Sequence, residues 1–120
     1  MMTSNEQADR TGRLSVQHRV ADGVRVVSLS GEIDHTTKDV VRDALQAREE
    51  TSRVVADLEH VTFLDSSGIN VLIYVNQHLS DVGGWLRVAA ATPSVNRVIE
   101  LVGIDAVIPC HRSVEEALNS

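Results

Sequence analysis

Arg53-Val54-Val55-Ala56-Asp57-Leu58, the polar pair Glu59-His60, the connector Val61-Thr62-Phe63-Leu64 and then Asp65-Ser66-Ser67-Gly68, opening a run that continues to Val82, is the stretch that decides the fold. Its first six residues, rich in β-branched and small apolar side chains, read as a short buried strand closed by Glu59-His60. The connector is expected to pack inward. From Gly68 to Val82, Ile69, Leu72, Ile73, Val75, Leu79 and Val82 recur at helical spacing. Their face is so wide that this helix is predicted to be the most buried of the chain. A buried strand feeding a buried helix is the alternation of an α/β fold.

Working upstream, Leu14 to Val20 alternates apolar and polar residues as a half-buried strand does, and Val24 to Leu29 resumes after Asp22-Gly23, a hairpin signal. Gly31-Glu32-Ile33-Asp34 then leads into a helix carrying Val40, Val41, Ala44, Leu45 and Arg48, with Thr36 or Thr37 as its N-cap. Downstream, Gly83-Gly84 stops the buried helix and Trp85 to Ala91 is the next strand. Pro93-Ser94 opens a helix with Val95, Val98, Ile99 and Val102, and Gly103 ends it. Val107-Ile108 reads as a short last strand, followed by a terminal helix from Ser113 to Leu118. The expectation is an α/β chain whose central mixed sheet opens with a hairpin, right-handed crossovers making the later strands parallel. Met1 to Arg13 is polar and aperiodic and is expected to be a disordered leader to one domain spanning 14–120.

A chain of 120 residues with 42% apolar content has room for one core. Its aromatics are Phe63, Tyr74 and Trp85, so nineteen valines with Leu, Ile and Ala must fill that core. Seventeen acidic against eleven basic residues give a charge of −6, with no Lys/Arg block. Nucleic acid is excluded as a partner, because phosphate binding needs a clustered cationic footprint. Cys110 has no cysteine to pair with and no companions at metal-ligand spacing, which fits a reducing compartment. No apolar run approaches the roughly 18 to 20 residues that span a bilayer, and Met1 to Arg13 lacks the apolar core of a signal peptide. A cytoplasmic protein without membrane contact is expected.

Asp65-Ser66-Ser67-Gly68 carries whatever chemistry the chain has. The N–H groups at a helix N-terminus are unpaired and bear the positive end of the dipole, so a hydroxyl there sits beside a natural phosphate site. Gly68 would let another molecule approach the backbone. The plain alternative is that Ser and Asp merely cap the helix. A nucleophile elbow would need glycine where Leu64 stands, and the five histidines are scattered without the context of a catalytic base. Asp57 at a strand end invites comparison with a phospho-accepting receiver domain. Val20-Ala21-Asp22 offers only one acid of the required pair, however, and the single lysine, Lys38, lies far from the last strand. No Gly-rich phosphate loop supports a nucleotide site.

Val61 to Ile69, preceded by Val55-Ala56-Asp57-Leu58 and by Leu29-Ser30-Gly31-Glu32-Ile33-Asp34, resembles the bacterial anti-sigma factor antagonists of the STAS family. The resemblance runs from Leu14 onward and rests on Gly-Glu-Ile-Asp followed about thirty residues later by Asp-Ser-Ser-Gly. It implies a STAS fold and a protein that is not an enzyme. Ser66 would be phosphorylated by the partner anti-sigma factor, a protein serine kinase. The unmodified antagonist binds the kinase and releases its sigma factor; phosphorylation abolishes binding and a serine phosphatase resets it. Partner-binding residues by the same resemblance are Glu32, Asp34, Asp65, Ser67, Gly68 and Asn70, with Asp65 a cap of secondary recognition value and Ser67 a structural cap. No metal or cofactor is implied, because ATP and magnesium belong to the kinase. Asn70 replaces the glycine or small residue usual in the family, and His35 after Asp34 is also a departure. Phosphoserine would add roughly −1.5 to −2 charges beside Asp65 and, if the fold brings that loop close, beside Glu32 and Asp34. The alternative implied by the family is a non-catalytic STAS subunit of a transport or stress-sensing complex, with Asp-Ser-Ser-Gly retained as structure.

Overall fold

A computed structural model describes residues 12–48 and 51–120 together with the backbone of residues 6–8. Leu14, Val16 and His18 point inward from β2 (Leu14–Ala21), and Asp22 and Gly23 turn the chain with φ of 55° and 78°. Positive φ at both residues matches the right-handed twist of the flanking strands. β3 (Val24–Ile33) returns antiparallel, with Val24 to Val27 buried without alternation because both sheet faces are covered there.

α1 (Lys38–Leu45), β4 (Arg53–Leu64), α2 (Ser66–Asp81), β5 (Trp85–Ala89), α3 (Pro93–Val102), β6 (Cys110–His111) and α4 (Val114–Leu118) follow. With β1 (Glu6–Ala8) they form a six-stranded sheet ordered β1-β2-β3-β4-β5-β6, antiparallel through β3 and parallel from β3 to β6. This is the mixed sheet that the sequence predicts, with the edge strand β1 added ahead of the β2–β3 hairpin. Helices α1, α2 and α3 pack their apolar residues on one face, where Val41, Leu45, Leu72, Val75, Leu79 and Ile99 meet Val27, Leu29, Ala56 and Val88. The other face is covered by α4, through Ala117 against Val26, Val55 and Ala89. Arg87 fastens α4, donating to the Ala117 carbonyl at 2.8 Å while its guanidinium lies 3.8 Å above the Trp85 ring.

Several expected elements are corrected. β1 pairs with β2 inside the stretch expected to be a disordered leader, because edge-strand hydrogen bonds need no apolar periodicity; residues 1–5 and 9–11 lie outside the described residues. β3 runs on through Gly31 and Glu32, and β4 does not stop at Glu59-His60. Asp57 is thus mid-strand, accepting from the Ser28 hydroxyl at 3.0 Å and the Glu59 N–H at 3.1 Å. That local turn, with register shifts between Ser28 and Ser30 and between Gly31 and Glu32, is a bulge which the parallel ladder survives. Phe63 consequently faces out, 47% exposed, while Val61 and Leu64 stay inside. On α2 the buried face is Gly68, Ile69, Val71, Leu72, Val75 and Leu79, and Ile73 and Val82 are exposed. α1 ends at Leu45, before Arg48. Val107 and Ile108 form no strand, since both N–H groups go to the Ile104 carbonyl after a 3-10 turn at Ile104–Ala106; β6 lies two residues further on. Gly83 and Gly103, with φ of 83° and 80°, end their helices as expected.

Behind α1, the buried Arg25 guanidinium donates to the carbonyls of Ala44 and Gln46 and to Thr51 Oγ1, and lies 3.3 Å from His18 Nδ1. It thereby satisfies carbonyls at the helix C-terminus that would otherwise lack partners. Burial, reinforced by the Arg25 and Arg48 cations, pushes His18 down to about 4 from its usual 6.5. The unfolded chain therefore takes up that proton first, and stability should be complete above about 6.5 and decline as pH falls toward 4. Urea midpoints measured across that interval should show the decline in the wild-type chain and a shallower one in His18→Gln. Equal slopes would remove His18 as its cause.

Candidate functional site

The two motifs leave the sheet side by side because Glu32 pairs with Phe63 and Ile33 with Leu64 in parallel strands. Gly31, at φ 119°, has an internal reason for being glycine: a Cβ there would stand 2.0 Å from the Arg13 carbonyl oxygen. That carbonyl accepts the Glu32 N–H at 3.0 Å. Asp34 closes the turn into α1, its Oδ1 accepting from the Thr36 N–H at 2.9 Å, the Thr36 hydroxyl at 2.7 Å and the Thr37 N–H at 3.3 Å. Thr37 occupies the N-cap position but does not cap. Its buried hydroxyl donates to the Glu32 carbonyl at 2.8 Å and accepts the Asp34 N–H at 2.9 Å, locking the turn from beneath. The bonds from Thr36, with the Arg13 guanidinium, hold the Asp34 carboxyl at about 2.

Asp65 receives α2. Its N–H donates to the Ile33 carbonyl at 3.2 Å, and its Oδ1 accepts from the N–H groups of Ser67 at 2.8 Å and Gly68 at 3.2 Å. The cap is Asp65, and Ser67 contributes its N–H to that cap instead of acting as one. Ser66 is the first residue of α2 and is exposed; Asp65 and Ser67 are half-buried. Gly68 is buried, so the close approach it permits is intramolecular. A Cβ there would meet Leu64 Cδ1 at 2.3 Å and Ile33 Cγ2 at 2.7 Å.

Sequence reading missed a groove of about 250 Å³ between α1 and α2, lined by Lys38, Arg42, Ser67, Asn70, Val71 and Tyr74. Asn70 and Tyr74 are one helical turn apart on the exposed side of α2, where Tyr74 stacks on His78 with ring centroids 6.1 Å apart. Lys38 and Arg42 face them from α1, also four residues apart, and Arg42 pairs with Asp39 at 3.0 Å. The i, i+4 spacing of these cations was the available signal. Glu32 and Asp34 lie beside the Asp65 cap, as the sequence allowed, but not as unpaired carboxylates. Arg13 donates to Glu32 Oε1 at 2.5 Å, to Asp34 Oδ2, and to Thr36 Oγ1 at 2.7 Å. Among the described residues no His, Cys, Asp and Glu cluster could hold a metal, and no helix is long and apolar enough to cross a membrane.

The STAS domain model matches residues 15–117. The chain is 34% identical over 100 residues to an anti-sigma F factor antagonist of Paenibacillus polymyxa, covering 80% of this chain and 85% of that one. It is 30% identical over 108 residues to the anti-sigma-F factor antagonist RsfB of Mycobacterium tuberculosis, covering 87% and 88%. The crystal structure of an anti-sigma factor antagonist from Mycobacterium paratuberculosis superposes with a TM-score of 0.80 at 33% identity, over 88% of this chain and 92% of that one.

The contact at Gly68 makes a testable demand. Gly68→Ala must push Ile33 and Leu64 apart and should cost about 1 to 3 kcal/mol by overpacking, measured as a lowered urea midpoint. A variant as stable as the wild-type chain would show that the neighbours yield freely.

Proposed function

We propose that this chain, which belongs to the STAS domain family, is a cytoplasmic anti-sigma factor antagonist: unmodified, it binds an anti-sigma factor that is a serine kinase and frees the sigma factor, and phosphate transfer to Ser66 ends the binding until a serine phosphatase reverses it. The observation that carries this reading is an exposed serine at the first position of a 16-residue helix, beside a groove carrying two cations. The relatives named as anti-sigma F factor antagonists, at 34% and 30% identity over most of their length, support it.

The switch follows from charge. Phosphate on Ser66 adds roughly −1.5 to −2 charges at neutral pH. The helix N-terminus stabilises that charge within the domain by about 0.3 to 1 kcal/mol, so the fold tolerates it. The partner meets a different balance. Before transfer it faces a neutral hydroxyl, carboxylates of Glu32 and Asp34 that share the single Arg13 guanidinium, and the cations Lys38 and Arg42. After transfer a dianion stands next to Asp65 and competes with the partner's own acidic groups for those cations. A desolvated contact between unmatched charges costs several kcal/mol, far more than the helix end returns. Asp65 holds the N-terminus rather than removing the serine proton, since kinases supply their own base.

Incubation with the cognate kinase and ATP, followed by mass spectrometry, should place one phosphate on Ser66; phosphate on Ser67 or Thr62 with Ser66 unmodified would overturn the assignment. Ser66→Ala should bind the kinase yet resist being switched off, and Ser66→Asp should bind about tenfold or more weakly. Replacing Lys38 and Arg42 together by Glu should slow association and flatten its dependence on salt, measured by stopped-flow or surface plasmon resonance.

A further inference from the structure

Arg13 stands outside both motifs yet touches one of them at every polar position. Its carbonyl takes the Glu32 N–H, and that approach is possible because Gly31 has no Cβ. Its guanidinium spans Glu32, Asp34 and Thr36. The guanidinium reaches these acceptors from two nitrogens held in one rigid planar fork, whereas an ammonium group would have to serve all three from a single nitrogen. Between the two clamped carboxylates lies Ile33, whose carbonyl receives the Asp65 N–H and whose side chain abuts Gly68 in the first turn of α2. A connected path therefore runs from the Arg13 guanidinium through the Gly31–Asp34 turn to Asp65, the residue that caps the helix bearing Ser66.

An isolated surface ion pair contributes little to stability. This one is a network, and Asp34, at its centre, has a side chain only 13% exposed. Its side-chain acceptors, Glu32, Asp34 and Thr36, all belong to the turn and the start of the next connection, so its effect falls on the geometry of the turn more than on the stability of the sheet. We propose that Arg13 is a positioning residue of the switch: it fixes the Gly31–Asp34 turn, and through Ile33 and Asp65 it sets how Ser66 is presented to the kinase. The second half of that statement rests on the function proposed above; the first does not.

The test uses the full chain as wild type, Arg13→Ala and Arg13→Lys, with two measurements on each. Amide hydrogen exchange read by NMR should show Glu32 and Asp65 exchanging about tenfold or more faster in Arg13→Ala, with Val55 and Val88 in the core strands unchanged. Phosphate transfer to Ser66 should lose about tenfold in kcat/KM in the same variant, because a misplaced acceptor loses its attack geometry. Arg13→Lys, keeping the charge without the fork, should fall between the two in both measurements. Exchange at Asp65 that does not change, or that rises equally at Val55 and Val88, overturns the clamp. Local loosening with undiminished transfer overturns its role in presentation. If the kinase leaves Ser66 of the wild-type chain unmodified, the functional reading itself has failed, and exchange at Asp65 still decides whether Arg13 holds the site.

Discussion

Ile33 lies against Leu64 at the far end of two parallel strands, and the arrangement of the candidate site follows from that pairing. Parallel strands exit their sheet at the same end. Gly31-Glu32-Ile33-Asp34 and Asp65-Ser66-Ser67-Gly68, some thirty residues apart in the chain, therefore emerge as neighbours. The contact is made twice over, by the Ile33 carbonyl on the Asp65 N–H and by the Ile33 side chain in the space that Gly68 leaves. The first motif supplies a carbonyl and a methyl group, and the second supplies an amide and a missing Cβ.

What the sequence revealed and what it hid divide along physical lines. β2 and the hairpin were legible because each inward residue of Leu14 to His18 alternates with an exposed one, and Asp22-Gly23 adopts the two positive φ angles its chemistry favours. The length of β4 was hidden because Glu59 and His60 are both exposed, and two consecutive polar residues look like a terminus when they are a bulge. Phe63 was misread for a related cause. The register shift opposite Glu32 breaks the alternation, leaving Thr62 and Phe63 outside together. The capping role of Asp65 could be read locally, whereas the grip of Arg13 on Asp34 spans 21 positions and has no periodic signature. The pairing of Lys38 with Arg42 along one groove has no signature as a cationic block, because only folding aligns the two with Tyr74 and Asn70.

The distribution of charge also looks different in three dimensions. A formal charge of −6 suggests a negative surface throughout. At the candidate site the two carboxylates of the Gly-Glu-Ile-Asp turn have a guanidinium between them, and the adjoining groove is lined by cations. The surplus of acid resides elsewhere. Arg13, Lys38 and Arg42 stand among Glu32, Asp34, Asp39 and Asp65, so this patch is close to neutral on an acidic protein.

Trp85 and its cover offer a consequence of another kind. The indole sits on β5 opposite Arg53, the first residue of β4, whereas Ser66 follows shortly after the last. It is half-buried beneath Arg87, whose other bond holds the final helix to the sheet. As the chain's one tryptophan, it makes intrinsic fluorescence a reporter of whether α4 is seated, at the end of the sheet remote from the serine. The molecule thus carries an optical probe that reads its packing while remaining blind to its chemistry.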